Sequence, residues 1–409
     1  MIEASGLDLT VDPRTLGLRL QVARKSRRLT QHDAAEALEM SRPTYTAIEK
    51  GERTIQPREL IRLAELFGRS VHELLRQRPP IRDFVAYFRS LAVESYETNP
   101  ELDEAATLLQ RLCENYLELE EQRHSPLPRN YPAPYDVSER DPVERAEEVA
   151  DQERMRLGLG DGPIVNLRDI LETDVGLRIF SIGLPSRISG LFIFTEELGG
   201  CIAIQQNHPP ERRLWSLCHE YAHFLVHRYE PEVTLLRSDR RRSRKERFAD
   251  AFARTFLMPE LSLRRRFYSL TRSVEKVTPA GLIGLADFYG VSFEALLLRL
   301  EDLRLIPIGT WLGLKELNFR VNDAQQLLGP RRHTAEQKLP HHYTGLAVGA
   351  YLEGELTEAE LMEFLLADRQ QTRRIVWKVT RRASVTDEGE SGQLFLDLEE
   401  ALCAPKSSN

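Results

Sequence analysis

The most specific chemistry in the sequence comes from two histidines four residues apart, His219 and His223, with Glu220 between them. A helix is predicted over residues 210–227, because Pro210 suits a first helical turn and apolar residues then recur at helical spacing. Residues four apart lie on one side of a helix, so both imidazoles can bind one zinc ion and Glu220 can act on its water. The pattern also fits two surface histidines on an amphipathic helix.

A zinc ion with an open water position needs a third protein ligand, and the next predicted helix, residues 243–259, offers one. Glu246 is the predicted ligand. Asp250, one turn later on the same face, is predicted to accept the free N–H of a ligand histidine and so to fix its tautomer. The alternative is that Ser243 and Glu246 form a capping box, although a capping glutamate alone would not account for Asp250.

His227 is a second candidate for the third ligand, since it follows His223 by one further helical turn. At about 1.5 Å per residue, His219 and His227 are separated by roughly 12 Å along the helix axis, which is too far for one ion on an unbroken helix. His227 is therefore predicted to lie beside the ligands or at the rim of the site without binding the metal.

Taken together, the stretch from His219 to His227 and the later Glu246-x-x-Ala-Asp250 segment ending in Met-Pro resemble the ImmA/IrrE metallopeptidase family over residues 142–300. Members are zinc-dependent regulators, and several cleave a helix-turn-helix repressor. The resemblance implies an α+β, zincin-like domain, zinc (Zn2+) as the cofactor, and a protein substrate such as a repressor.

Residues 14–76 are predicted to form five short helices, and residues 14–78 contain fourteen Lys or Arg against eight Asp or Glu, a balance that suits phosphate contact. The stretch resembles the Xre/Cro-like helix-turn-helix domain, which implies a double-stranded DNA operator as partner. By that resemblance Gln31 contacts a phosphate, and the residues that face base edges are Arg42, Pro43, Thr46 and Ala47. Of these, only Arg42 can bind guanine through two hydrogen bonds. The alternative is a protein-interaction module with a solvated basic face.

Short strands are predicted at 177–182, 190–194 and 201–204, and the last two should form a hairpin. Because residues 201–204 come just before the metal-binding helix, they are the candidate for an edge strand that holds an extended substrate. An ordinary half-buried hairpin is an equally good interpretation. Cys201 is a candidate for blocking the open zinc position with its thiolate, whereas most free cysteines are simply small buried hydrophobes.

The composition restricts the class of protein. Four cysteines without CxxC spacing predict reduced thiols in a cytoplasm, and no stretch has the length and apolarity of a secretory signal or a membrane span. A net charge of −7 over 409 residues argues against a chain coated in nucleic acid, so DNA binding depends on local basic patches.

The predicted fold is mainly α with a small β-sheet, in four parts: a helix-turn-helix domain (1–78), a helical spacer with a proline-rich linker (79–141), the metallopeptidase domain (142–303) and a C-terminal α/β region (304–409) with a strand at 374–379. The predicted function is a cytoplasmic, homodimeric DNA-binding regulator with zinc endopeptidase activity, acting in a stress, mobile-element or defence response. The alternative is a transcription factor or antitoxin-like regulator whose peptidase-like domain is a non-catalytic sensor or dimerisation module.

Overall fold

The structure is a computed structural model that describes residues 11–76, 80, 84–85, 88, 100–137, 141–229, 232–235, 243–272, 278–317, 319, 338–380, 384–385 and 391–392. Residues 1–117 and 127–340 form one compact unit, and residues 118–126 and 341–409 form a second. The predicted fold class, mainly α with a small β-sheet, is confirmed. The division into four predicted parts stays a prediction.

The N-terminal part of the first unit contains the five predicted helices. They are α1 (Pro13–Ser26), α2 (Gln31–Ala37), α3 (Arg42–Glu49), α4 (Pro57–Phe67) and α5 (Val71–Leu74). The side chains of Asp12, Thr30, Ser41 and Ser70 accept hydrogen bonds from backbone N–H groups in the first turns of four of these helices. Gly68 ends α4 in the left-handed conformation that favours glycine, with φ of 62°. Local sequence signals therefore account for the starts of four of the five helices and for the end of α4.

A long helix, α6 (Pro100–Gln122), follows the N-terminal helices in the chain and contacts two other parts of the first unit. Arg19 of α1 donates to Glu114 of α6 over 3.0 Å, and Arg28 donates to Asp103 over 2.5 Å. Further along α6, the ring of Tyr116 packs edge-on against Phe180 at 6.4 Å between centroids. Within the first unit, α6 therefore contacts both the N-terminal helices and the sheet. Most of the predicted spacer before residue 100 lies outside the described residues.

The sheet lies in the middle part of the first unit and has four strands. They are β1 (Arg178–Ile182), β2 (Ile188–Thr195), β3 (Gly199–Gln205) and β4 (Glu232–Leu235), in the spatial order β1-β3-β2-β4. The predicted hairpin is present, since β2 pairs antiparallel with β3, and β1 pairs parallel with β3. The central strands are β3 and β2, so the prediction that residues 201–204 form an edge strand is wrong.

Helices cover the sheet and complete the core of this part. They are α7 (Pro142–Arg156), α8 (Leu167–Ile170) with a π-helical turn (Leu171–Val175), α9 (Pro210–His227), α10 (Arg244–Leu257), α11 (Glu260–Arg272), α12 (Pro279–Tyr289), α13 (Phe293–Asp302) and α14 (Thr310–Glu316). Helix α9 packs on β2 and β3, and α10 packs against both α7 and α9. This arrangement brings α9 and α10 side by side, as a metal centre built from both helices requires.

The second unit contains α15 (His341–Leu352), α16 (Glu358–Leu365), α17 (Arg369–Thr380) and the short strands β5 (Ser384–Val385) and β6 (Ser391–Gly392). The strand predicted at 374–379 is wrong, because these residues lie in α17. Their β-branched and aromatic side chains suggested a strand, but α17 packs against α15 and α16 as a helix. Tertiary packing overrides the local preference here.

Among the described residues, no single helix has both the length and the apolar composition needed to cross a membrane, although α12 and α13, which meet at 99°, satisfy the criterion as a bent pair.

Candidate metal centre and nucleic-acid interface

The side chains of His219, His223 and Glu246 converge between α9 and α10, and we call this group the metal centre. One ligand atom from each residue lies within 4.8 Å of the other two. The Nε2 atoms of the two histidines are 3.1 Å apart. The Glu246 carboxylate lies 3.4 Å from each of these nitrogens, through Oε2 to His219 and Oε1 to His223. In the described part of the chain, no other group of three possible ligands comes together in this way.

The donor set and its spacing fit zinc. Zinc–nitrogen and zinc–oxygen bonds of about 2.0–2.1 Å in a tetrahedral site place the ligand atoms roughly 3.3–3.4 Å apart. The three observed separations, from 3.1 to 3.4 Å, are close to that value. Two imidazoles and one carboxylate also leave a fourth position open, as catalytic zinc sites do.

Apolar contacts between α9 and α10 hold the two ligand-bearing helices side by side. Tyr221, two residues after His219, is fully buried and meets the ring of Phe252 on α10 at 6.0 Å. Ala249 and Ala253, also on α10, are fully buried and small, which lets the two helices approach closely. These contacts hold α9 against α10, where His219, His223 and Glu246 converge.

Burial and the opposing charges control protonation in the metal centre. His223 is almost fully buried, and burial lowers its pKa, which favours the neutral imidazole that binds metals. Burial raises the pKa of Glu246, but the hydrogen-bonding contacts with His219 and His223 outweigh it and hold that pKa well below its usual range. A neutral imidazole beside an ionised carboxylate is the state that zinc binding needs.

Asp250 and His227 lie beside the three predicted ligands. Asp250 Oδ1 is 3.2 Å from His219 Nδ1, the contact that directs His219 Nε2 toward the metal position. The ring of His227 is centred 6.2 Å from that of His223, and His227 is outside the converging group. Ser243 caps α10 by accepting from the Glu246 N–H at 3.2 Å, while the Glu246 side chain points to the histidines. Capping by Ser243 therefore accounts for the hydrogen bond of the Glu246 backbone N–H, but not for the position of the Glu246 carboxylate.

Glu220 is fully buried and lies against β2, one residue from His219. Its carboxylate lies against Gly190: a Cβ atom built at Gly190 would be 2.1 Å from Glu220 Oε1. Gly190 is not among the site residues predicted from the sequence. The available signal was a glycine inside an apolar strand segment, which often marks a position where another group approaches the backbone closely.

The structure contradicts the prediction that Cys201 blocks the metal. Cys201 points away from α9, and its Sγ lies 3.3 Å from Cys113 Sγ on α6. The neighbouring residue, Gly200, faces α9 instead, because a Cβ atom there would lie 3.1 Å from the Phe224 ring. Side chains alternate along a strand, so Cys201 and α9 are on opposite faces of the sheet. Cys201 is a buried thiol, as the alternative interpretation held.

The edge strands of the described four-stranded sheet are β1 and β4. Of these, β4 pairs with β2, the strand that contacts Glu220, and Thr234 of β4 lies opposite Gly190. Strand addition by a substrate near Glu220 would therefore have to use the outer edge of β4.

The predicted DNA-contacting residues lie on α2 and α3. Arg42 and Pro43 are exposed at the start of α3, and Thr46 and Ala47 are half-buried one turn later. Gln31 does not project freely, because its amide donates to Glu49 at 2.9 Å and its Oε1 accepts from the Thr46 hydroxyl at 3.3 Å. The roles of these residues on DNA stay predictions.

A buried ion pair that no local sequence pattern predicts holds α3 on α1. Arg24 donates from Nε and Nη2 to the two carboxylate oxygens of Glu49, at 2.6 and 3.1 Å. Burial raises the pKa of Glu49, but Arg24 and Gln31 outweigh it and lower that pKa below its usual value. A bidentate pair of this kind fixes the rotation of α3 about its axis, and so the direction of Arg42.

Comparison with known proteins gives two family matches. Residues 172–301 match the model of the peptidase family described as the IrrE N-terminal-like domain, and residues 20–74 match a helix-turn-helix model. Comparison with curated proteins finds no match. The first match spans α9 and α10 with the whole metal centre, and the second spans α2 and α3.

Proposed function

We propose that this chain, in which a helix-turn-helix domain is fused to an IrrE N-terminal-like peptidase domain, is a DNA-binding regulator with zinc-dependent endopeptidase activity. The observation that carries the proposal is the convergence of His219, His223 and Glu246 at zinc-like separations, next to a buried Glu220. The substrate would be a regulatory protein such as a repressor, and the response one to stress, a mobile element or an invader. A homodimer located in the cytoplasm is part of this proposal.

His219, His223 and Glu246 would hold the metal, and Asp250 would orient His219. Zinc bound there would polarise the scissile carbonyl and acidify a water molecule. Glu220 would accept a proton from the attacking water at its carboxylate and return it to the nitrogen of the leaving amine. Burial of Glu220 keeps bulk water from competing for that proton.

The test compares the zinc-loaded wild-type protein with its Glu220→Gln variant, which has the same shape and the same metal ligands. Each is incubated with native soluble extract from the source organism, and newly formed peptide N-termini are identified by labelling. We expect zinc-dependent new termini, concentrated in one regulatory protein, with the wild type alone. If the two proteins give identical termini while binding equal zinc, the non-catalytic sensor alternative would replace the peptidase proposal.

DNA recognition is tested on the full-length chain. Duplexes selected from a random pool define the operator, and binding is then measured for Arg42→Ala and Arg42→Lys. We expect Arg42→Ala to lose about 1–3 kcal/mol at one guanine and to relax specificity there. Arg42→Lys keeps the charge without the bidentate geometry, so it should retain non-specific affinity and still lose the guanine preference. Unchanged base preference in both variants would remove Arg42 from base readout.

A further inference from the structure

Gly190 lies inside β2, and the space that a side chain at this position would fill is occupied by Glu220. A Cβ atom at position 190 would lie 2.1 Å from Oε1, 2.7 Å from Cδ and 2.9 Å from Cγ of Glu220. All three distances are shorter than the closest approach of non-bonded atoms in packed interiors. A side chain at 190 and Glu220 in its present position therefore exclude each other.

The strand cannot move away to relieve such a clash. Gly190 is paired on one side with Ile204 of β3 and on the other with Thr234 of β4. Helix α9 packs against β2 and β3, which fixes the distance between helix and sheet. Glu220 is fully buried, so its side chain has no solvent-filled space beside it. A methyl group at position 190 would therefore displace the Glu220 carboxylate from its present position.

A left-handed φ does not explain the glycine, although the pairing of β2 with β4 shifts register between Ile188 and Gly190. The φ angle of Gly190 is outside the left-handed region, so other residues can adopt this backbone. Glycine in a strand interior weakens the strand, because it has no side chain to pack and loses more conformational entropy. The register shift beside Gly190 and the close approach of Glu220 are two physical reasons for a glycine at this point, and only the second concerns Glu220.

We propose that Gly190 is a positioning residue for Glu220, and that it keeps the carboxylate of the general base seated against β2 next to the metal centre. This rests on the proposed function. A general base must lie within hydrogen-bond reach of the proton it removes, and a misplacement of about 1 Å can cost on the order of 100-fold in rate. Gly190 thus sets the reaction rate without touching the substrate or the metal.

The activity test uses Gly190→Ala in the full-length, zinc-loaded protein, with the substrate identified above. We expect kcat to fall on the order of 100-fold, with KM and zinc content unchanged. Adding Gly190→Ala to Glu220→Gln should lower the residual rate little further, because Gly190 acts only through the carboxylate that Glu220→Gln has removed. Additive losses would mean that Gly190 acts independently of Glu220 and would overturn the proposal.

Gly200→Ala is the matched control on the same face of the neighbouring strand. Its Cβ would lie 2.5 Å from Leu177 Cδ2 and 3.1 Å from the Phe224 ring, and no atom of Glu220 is among its nearest neighbours. It should lower the unfolding temperature while the folded fraction keeps the wild-type kcat. An equal loss of kcat in both variants would show a general response to crowding on this face, and the proposal would fail.

A second measurement is independent of activity. In metal-free protein, Gly190→Ala should lower the denaturant midpoint of the wild type but not that of a Glu220→Ala variant, where the carboxylate is absent. Equal shifts in both backgrounds would overturn the proposed contact. An inactive wild type would contradict the proposed function, whereas an active wild type with a fully active Gly190→Ala would contradict the positioning role alone.

Discussion

The two faces of the four-stranded sheet carry different kinds of chemistry. On one face, α9 presents His219 and His223 to α10, and Glu220 lies against Gly190. On the other face, α6 buries aromatic rings and thiols, with Tyr116 on Phe180 and Cys113 on Cys201. The sheet therefore separates the metal centre on one face from a packed layer of buried side chains on the other. One face is therefore built for binding, and the other for holding the sheet in place.

The face with α6 should control stability with little effect on the metal centre. Tyr116 is fully buried, with Phe180 and the Arg178 guanidinium against its ring. Tyr116→Ala would leave a cavity, so we expect a loss of about 3–5 kcal/mol in the free energy of unfolding. Tyr116→Phe, which keeps the ring, is the control and should lose far less. Denaturant unfolding of the metal-free protein measures the free energy of unfolding of both variants. A weaker zinc affinity of the folded Tyr116→Ala variant would contradict the separation of roles between the two faces.

The face with α9 should show the opposite behaviour. Glu246→Ala removes one of three predicted ligands, so zinc affinity should fall by more than the roughly 10–100-fold that is typical when an outer partner is lost. The metal-free fold should change little, because the Glu246 side chain is 28% exposed. His227→Ala, a nearby histidine outside the converging group, is the control and should keep its zinc. Chelator competition measures both affinities, and equal losses would contradict the ligand assignment.

What the sequence could predict differs between the faces for a physical reason. His219 and His223 are four residues apart, so helix geometry places both on one side of their helix. Glu246 and Asp250 are also four apart and therefore share one side of the next helix. No comparable local rule links Cys201 to Cys113, which lies 88 residues earlier in the chain.

The N-terminal helices show the same limit. Their capping residues and glycines predicted five helices closely, since these signals act within a few residues. The pairing of Arg24 with Glu49 was not predicted, because it depends on how α1 and α3 meet in space. Likewise, no local pattern predicts the contacts of the Gln31 amide with Glu49 and Thr46, and the predicted phosphate contact of Gln31 stays a prediction. For these five helices, the local elements could be predicted from the sequence and the side-chain contacts between the helices could not.

The smallest expected effect concerns Cys201, whose thiol lies on the face of the sheet that carries α6. Cys201 and α9 lie on opposite faces of the sheet, so Cys201→Ser should leave zinc content and basal cleavage unchanged. Exchanging a buried thiol for a hydroxyl in this layer should cost about 1 kcal/mol in the free energy of unfolding.

Cys218→Ser is the matched control, since Cys218 is also fully buried but adjoins His219 on α9. Its side chain belongs to the core around α9, so it too should reduce stability without removing the metal. A rise in basal cleavage with Cys201→Ser alone would mean that the thiol reaches the metal centre from the far face. That result would require β3 to turn over relative to α9, reversing the alternation that places Gly200 against Phe224.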